Sequence, residues 1–89
     1  MSAERAAAIE AALRAALAPL ELQVLDDSAQ HAGHAGAREG GHFTVHIRSA
    51  RFAGLSPLAR HRLVYDSLGS LAALGVHALA IDAQVPDAS

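Results

Sequence analysis

Apolar side chains recur every four residues near the start of the chain, at Ile9, Leu13 and Leu17. This spacing places them on one face of an α-helix, and the charged residues of the same segment fall off that face. Alanine, the strongest helix former, fills most of the other positions. The pattern predicts an amphipathic helix over residues 2–18, with Ser2 as its cap and Pro19 as its end.

The hydrophobic pattern then changes to a period of two residues. Leu20, Leu22 and Val24 alternate with polar side chains up to Asp27, and a second alternation covers residues 42–49. Both alternations are typical of half-buried strands. The intervening residues 28–41 contain four glycines and almost no large apolar side chain, so they predict a flexible loop. We expect the two strands to pair as an antiparallel hairpin.

The remaining pattern predicts a second helix and a third strand. Ser56 and Pro57 form a helix start, with a capping hydroxyl followed by proline at the first helical position. Gly75 is expected just past the end of that helix. The apolar stripe of this helix consists of Leu58, Val64, Tyr65, Leu68, Leu71 and Ala72. A short helical turn is expected near Phe52, and the mostly apolar residues 76–85, stopped by Pro86, form the last strand.

The predicted order of elements is helix, strand, strand, helix, strand. It indicates an α+β fold in which a three-stranded mixed sheet carries its helices on one face. A helix that joins the second strand to the third requires these two strands to be parallel, with a right-handed crossover. We expect residues 1–89 to form a single domain, since 89 residues leave no room for a second core.

The amino-acid composition excludes several classes of site and of binding protein. The chain has no cysteine, which excludes disulfides, thiol nucleophiles and thiolate metal sites within it. The seven basic residues are all arginine, and the net charge of −2 argues against a strongly basic protein that binds nucleic acid or membrane surfaces. No stretch reaches the roughly 18 apolar residues of a membrane span, and no leader is expected. We expect a cytoplasmic protein.

Histidine is the unusual residue, with six copies. If the second and third strands are parallel neighbours, both begin at the same end of the sheet. His77 then lies near His42 and within reach of His31 and His34 in the loop. Imidazole suits Zn, Cu, Fe and Ni, so this sheet edge is a candidate metal site.

Simpler interpretations of the same residues stay open. His77 shares strand parity with Leu79 and Ile81, which favours a partly buried ring. Loop histidines are usually exposed, and His42 and His46 alternate with apolar residues as solvent-facing side chains do. A zinc or copper site on His31, His34 and His77 alone is a further alternative. No local signature of a catalytic triad or phosphate loop is present, so we expect no enzyme.

The chain resembles the BolA family along nearly its whole length. The specific stretches are residues 51–54 (RFAG), 60–65 (RHRLVY) and 76–81 (VHALAI), together with the HAGHAGA loop and the Gly-His-Phe that follows it. The resemblance implies a KH-like fold of the second type, αββαβ. It also implies work with a monothiol glutaredoxin in iron–sulfur cluster trafficking, as an adaptor rather than an enzyme.

In such complexes a [2Fe-2S] cluster is shared between the glutaredoxin cysteine, a glutathione cysteine and two residues of the BolA-like partner. The resemblance assigns His77 as one ligand and a loop histidine as the other: His31 first, then His34, with His42 as the third choice. No cofactor is expected in the isolated monomer. The resemblance also raises DNA binding through Arg60, His61 and Arg62, the only local cluster of positive charge, and leaves a homodimer open.

Overall fold

The computed structural model describes residues 2–27 and 41–86, and these form five main elements. They are α1 (Ser2–Leu17), β1 (Glu21–Asp26), β2 (Gly41–Arg48), α2 (Pro57–Leu68) and β3 (Val76–Gln84), with a 3₁₀ turn at Ala50–Phe52. The order confirms the predicted αββαβ arrangement and the short helical turn near Phe52. No helix in these two ranges is long and apolar enough to cross a membrane.

The sheet has the strand order β1-β2-β3. β1 is antiparallel to β2, with Val24 opposite Val45, and β2 is parallel to β3, with Val45 opposite Ile81. This confirms the mixed sheet and the parallel pair that follows from joining β2 to β3 through a helix. The amino-terminal ends of β2 and β3 therefore lie side by side.

The core lies between one face of the sheet and the two helices. Alternate residues of β2, namely Phe43, Val45 and Ile47, are almost completely buried. The helices cover them with Ile9, Leu13 and Leu17 from α1 and Val64 and Leu68 from α2. Both helices thus pack on the same face. The opposite face, which we call the open face, carries the other side chains of β2 and β3: His42, Thr44, His46, Arg48, Ala78, Ala80, Asp82 and Gln84.

A buried hydroxyl joins the first helix to the end of the sheet. Ser49, which directly follows β2, is fully buried, and its Oγ donates a hydrogen bond of 2.6 Å to the carbonyl oxygen of Leu17. The same Oγ accepts a bond of 3.1 Å from the backbone N–H of Arg51. One side chain therefore satisfies a carbonyl at the end of α1 and an N–H of the 3₁₀ turn.

Four residues that the pattern placed in the core are exposed, namely Leu20, Leu58, Tyr65 and Ala72. Leu20 is 69 % exposed because it lies in the turn after Pro19, before the strand alternation begins at Glu21. Leu58 is 64 % exposed because it occupies the first turn of α2 on the side away from the sheet. Tyr65 is also largely outside the core.

The second helix ends earlier than its apolar spacing predicts. α2 stops at Leu68 because Gly69 adopts a φ of +73° and donates its N–H to the carbonyl of Tyr65. A separate turn follows, and Gly75, also at positive φ, closes it before β3. Leu71 and Leu74 keep a helix-like spacing within this turn and pack against the core, so apolar periodicity alone does not reveal the break.

Candidate functional site

Two imidazoles meet at the amino-terminal ends of the parallel strands. The ring centroids of His42 and His77 are 5.2 Å apart, and their planes make an angle of 54°. This confirms the predicted approach of these two residues, which are far apart in the sequence. The predicted loop histidines, His31 and His34, lie outside the described residues.

A β-bulge gives His77 its direction. Gly41 pairs with Val76 and His42 pairs with Ala78, so β3 has one extra residue, His77, at this point. A bulge of this kind turns a side chain away from the face that simple alternation would assign. His77 is exposed, and its ring reaches that of His42. The prediction of a partly buried ring was wrong. It assumed that His77 lies on the same face as Leu79 and Ile81, and the bulge breaks this alternation.

The residue that follows β1 is hydrogen-bonded to β2 beside this pair of histidines. The backbone N–H of Asp27 donates to the carbonyl oxygen of His42 at 2.7 Å. The hydroxyl of Thr44, the next side chain of the open face, donates to the Asp27 carboxylate. These two bonds hold Asp27, the last described residue before position 28, beside His42.

Glycine is required where β2 begins. A Cβ atom on Gly41 would come within 2.2 Å of Cε2 of Phe43, whose ring lies against this part of the backbone. The N–H of Gly41 donates to the carbonyl oxygen of Gly75 at 2.9 Å, which joins the start of β2 to the turn before β3. Close backbone approach at this point brings His42 and His77 together.

The described residues alone do not form a metal site. No group of three or more His, Asp or Glu side chains with the spacing of a metal site occurs in residues 2–27 and 41–86. Imidazole nitrogens bind zinc and iron well, but zinc in protein sites usually takes four ligands and iron takes four or more. His42 and His77 could provide two, and the rest must come from residues 28–40 or from another molecule.

His46 has a different environment at the other end of the open face. Its Nδ1 lies 3.1 Å from a carboxylate oxygen of Asp82, and the side-chain amide of Gln84 donates to the second oxygen at 2.9 Å. These hydrogen bonds, first that of Gln84 and then that of His46, lower the pKa of Asp82 below its ordinary value. The exposed position of His46 confirms the solvent-facing prediction, whereas His42 is half-buried.

The basic segment of α2 is divided between two environments. Arg60 is half-buried, and its guanidinium donates to the carbonyl oxygens of Leu55 at 3.1 Å and Ala83 at 3.3 Å. His61 and Arg62 are exposed. Of the three predicted phosphate-binding residues, two are therefore accessible and one joins the helix to β3. Nothing in the sequence distinguishes Arg60 from Arg62 in this respect.

Comparison with known proteins gives a consistent result. A family model described as "BolA-like protein" matches residues 13–88. The chain is 49 % identical over 80 residues to BolA-like protein 1 of Mus musculus, an alignment that covers 90 % of this chain and 57 % of the mouse protein. It thus spans little more than half the length of that relative.

Two further relatives extend the comparison. The DNA-binding transcriptional regulator BolA of Escherichia coli is 44 % identical over 73 residues, covering 82 % of this chain and 68 % of the regulator. The solved BolA domain of SufE1 from Arabidopsis thaliana is 46 % identical, with a TM-score of 0.79 and coverage of 92 % of each chain. The same arrangement of helices and sheet is therefore found in an experimentally determined relative.

Proposed function

The chain belongs to the family of BolA-like proteins, and on this basis we propose that it is an adaptor for iron–sulfur cluster trafficking. It shares a [2Fe-2S] cluster, its cargo, with a monothiol glutaredoxin and glutathione. His77 is the principal ligand from this chain, and a histidine of residues 28–40 is the second. The adaptor binds and transfers, and no catalytic residue is assigned to it.

The exposed ring of His77 beside His42 carries the proposal. The bulge in β3 presents this imidazole on the open face, at the sheet end where residues 28–40 begin and end. A structural histidine would have its ring nitrogens bonded to neighbouring groups, whereas no hydrogen bond joins the His77 ring to another described residue and the ring lies against that of His42. A ring in that position is accessible to a ligand brought by another protein.

The chemistry of the chain fits a shared cluster better than one of its own. It has no cysteine, so any thiolate must come from a partner. Glutaredoxin and glutathione each supply one. Replacing the other two thiolates by neutral imidazole makes the cluster less negative and changes its reduction potential, as in Rieske centres.

Three histidines compete for the second position. His31 is the first choice, His34 the second and His42 the third. His42 is half-buried and its carbonyl already holds Asp27, so its backbone is fixed, while His31 and His34 belong to residues 28–40. Single alanine variants of the three, tested against His77→Ala, would identify the ligand by the loss of cluster absorption.

The test is anaerobic reconstitution with a monothiol glutaredoxin, glutathione, iron and sulfide, followed by visible absorption and circular dichroism. We expect a spectrum distinct from that of the glutaredoxin alone, and its loss in His77→Ala. The matched control is His46→Ala, which removes an exposed histidine of the same face and should leave the spectrum unchanged. A mixture that shows only the glutaredoxin spectrum would contradict the proposal.

Imidazole ligation also predicts a dependence on pH. Only the neutral ring binds iron. The cluster should therefore be lost as the pH falls below about 6.5, where free imidazole becomes protonated. Titration of the reconstituted complex from pH 8 to pH 5.5 measures this. A spectrum unchanged across that range would count against histidine ligation.

A second candidate function is regulation of transcription by DNA binding. It is favoured by the Escherichia coli relative named as a DNA-binding regulator, and by the exposure of His61 and Arg62 on α2. Because the chain has a net charge of −2, few phosphate contacts are expected and binding should weaken steeply with salt.

Arg62→Ala tests this alternative without disturbing the fold. Loss of one phosphate contact should weaken duplex binding and reduce the salt slope by about 0.9. Arg14→Ala, which removes an exposed arginine from α1, is the control. Arg60 is unsuitable for this purpose, because its guanidinium bonds to two backbone carbonyls. Equal binding by wild type and Arg62→Ala would show that this surface does not contact DNA.

A further inference from the structure

β3 forms one edge of the described sheet. Its nine residues pair with β2 on one side only, and no other strand in residues 2–27 and 41–86 lies beyond it. Apart from Asp82 and the terminal His77 and Gln84, its side chains are alanine, leucine, isoleucine and valine. An apolar edge strand is a template for pairing with another strand, and proteins normally block it.

The hydrogen bonds show which residues face outward. In a parallel ladder, alternate residues of a strand direct both backbone groups to the same neighbour. Gln84 accepts a bond from the N–H of Ser49, which follows β2, so the even-numbered residues of β3 face β2. Leu79, Ile81 and Ala83 therefore direct their N–H and carbonyl groups away from the sheet.

Two side chains of α2 occupy this edge. The hydroxyl of Tyr65 donates to the carbonyl oxygen of Leu79 at 3.3 Å, and Nη1 of Arg60 donates to the carbonyl oxygen of Ala83 at the same distance. The two bonded carbonyls lie two residues on either side of Ile81. Both α2 side chains reach past the apolar face to do this, and both stand where an approaching strand would have to bind.

We propose that the outer edge of β3 is a pairing surface for β3 of a second copy of this chain, and that Tyr65 and Arg60 keep it closed. When these side chains are displaced, two β3 strands pair in antiparallel fashion around a twofold axis at Ile81. The two three-stranded sheets then form one continuous sheet of six strands.

The edge is self-complementary, as pairing with a second copy requires. With the axis at Ile81, each Leu79 lies opposite Ala83 of the second copy, so both bonded carbonyls of each chain face N–H groups. On the open face Ala80 lies opposite Asp82 of the second copy, so no carboxylate faces another. The register uses only Leu79, Ile81 and Ala83 and avoids the bulge at His77.

Removing the two donors should expose the surface. In the wild-type chain both donors occupy carbonyls of this edge, so it should be monomeric at micromolar concentration. The double variant Tyr65→Phe with Arg60→Ala should dimerise at least about tenfold more tightly, as measured by sedimentation equilibrium. Tyr65→Phe alone, which keeps the ring and cannot unfold α2, should shift the equilibrium in the same direction by less.

Two further variants decide whether the association uses this edge. Ala83→Pro in the double variant removes an outward N–H without touching the ladder to β2, and should restore the monomer. Arg62→Ala with Tyr65→Phe controls for the loss of charge and should behave as Tyr65→Phe alone. In the dimer, the amides of Leu79 and Ile81 should become protected from hydrogen exchange.

The outcomes are distinct. Dimerisation of the double variant that is reversed by Ala83→Pro supports the proposal. Association unchanged from wild type in both Tyr65→Phe and the double variant overturns it. A dimer that Ala83→Pro leaves intact, or one without protection at Leu79 and Ile81, also overturns it, because the contact would then lie elsewhere.

Discussion

The two ends of the open face carry histidines in contrasting surroundings. At one end His42 lies against the ring of His77, and the nearby carboxylate of Asp27 accepts a bond from Thr44. At the other end His46 lies against the carboxylate of Asp82, which Gln84 also holds. Both histidines come from the same face of one strand, four residues apart.

The difference shows how the partner of an imidazole decides what it can do. His46 lies within hydrogen-bond distance of the Asp82 carboxylate on the neighbouring strand, so it forms a cross-strand contact. His42 lies instead against the ring of His77, and imidazole is a donor type that suits zinc and iron. The backbone separates the two cases, because Gly41 and the bulge exist only at the His77 end.

Gly41→Ala is expected to have the largest effect, because it should destabilise the fold and disturb the His42 and His77 end of the open face more than the His46 end. The new Cβ would collide with the Phe43 ring, and overpacking of this kind costs about 1–3 kcal/mol of unfolding free energy. Urea unfolding measures the loss, and NMR shifts should change around His42 and His77 more than around His46. Gln84→Ala, at the opposite end, is the control and should stay within about 0.5 kcal/mol. A Gly41→Ala protein as stable as wild type would show that the ring can move without cost.

An intermediate effect is expected from Thr44→Val. The change keeps the shape of the side chain and removes the hydroxyl that holds the Asp27 carboxylate. Loss of one such bond in a half-buried site costs about 1 kcal/mol in the free energy of unfolding. If the bond also positions residues 28–40, the reconstituted cluster should form more slowly in this variant. Unchanged stability and unchanged cluster formation together would show that the backbone bond from Asp27 to His42 is sufficient.

The smallest effect is expected from Asp82→Asn, and it should depend on pH. The pKa of Asp82 is lowered in the folded protein by its hydrogen bonds to Gln84 and His46. This carboxylate therefore stabilises the fold above its unfolded-state pKa near 3.8, and the contribution disappears as the pH falls through the lower folded value. The difference in unfolding free energy between wild type and Asp82→Asn should be small at pH 6 and vanish at the acid end. A difference that grows on acidification would have the wrong sign for this contact.

The pattern of apolar and polar residues was sufficient to predict the fold and the proximity of His42 and His77. Apolar spacing in α1 and alternation in β2 fixed the core face, and a helix between two strands required them to be parallel. Parallel strands begin together, so His42 and His77 had to lie near each other. These are consequences of periodicity and connectivity, which depend on many residues at once.

Features that depend on one or two residues were not predictable. The bulge at His77 breaks the parity rule without any glycine in β3 to mark it. α2 ends at Gly69 rather than near Gly75, and both glycines have positive φ, so spacing could not choose between them. Arg60 and Arg62 look alike in the sequence, yet only Arg60 reaches backbone carbonyls, because helix packing decides which of them points towards β3.

The extra residue in β3 has a consequence for engineering the sheet. The extra residue shifts the alternation of side chains along the strand by one position. Val76 therefore enters the core and His77 faces outward, while Leu79 is again on the core side. A ligand can then be added to a strand by inserting a single residue, with the downstream packing retained. Deleting that residue should turn the strand into an ordinary ladder that lacks the outward imidazole of His77.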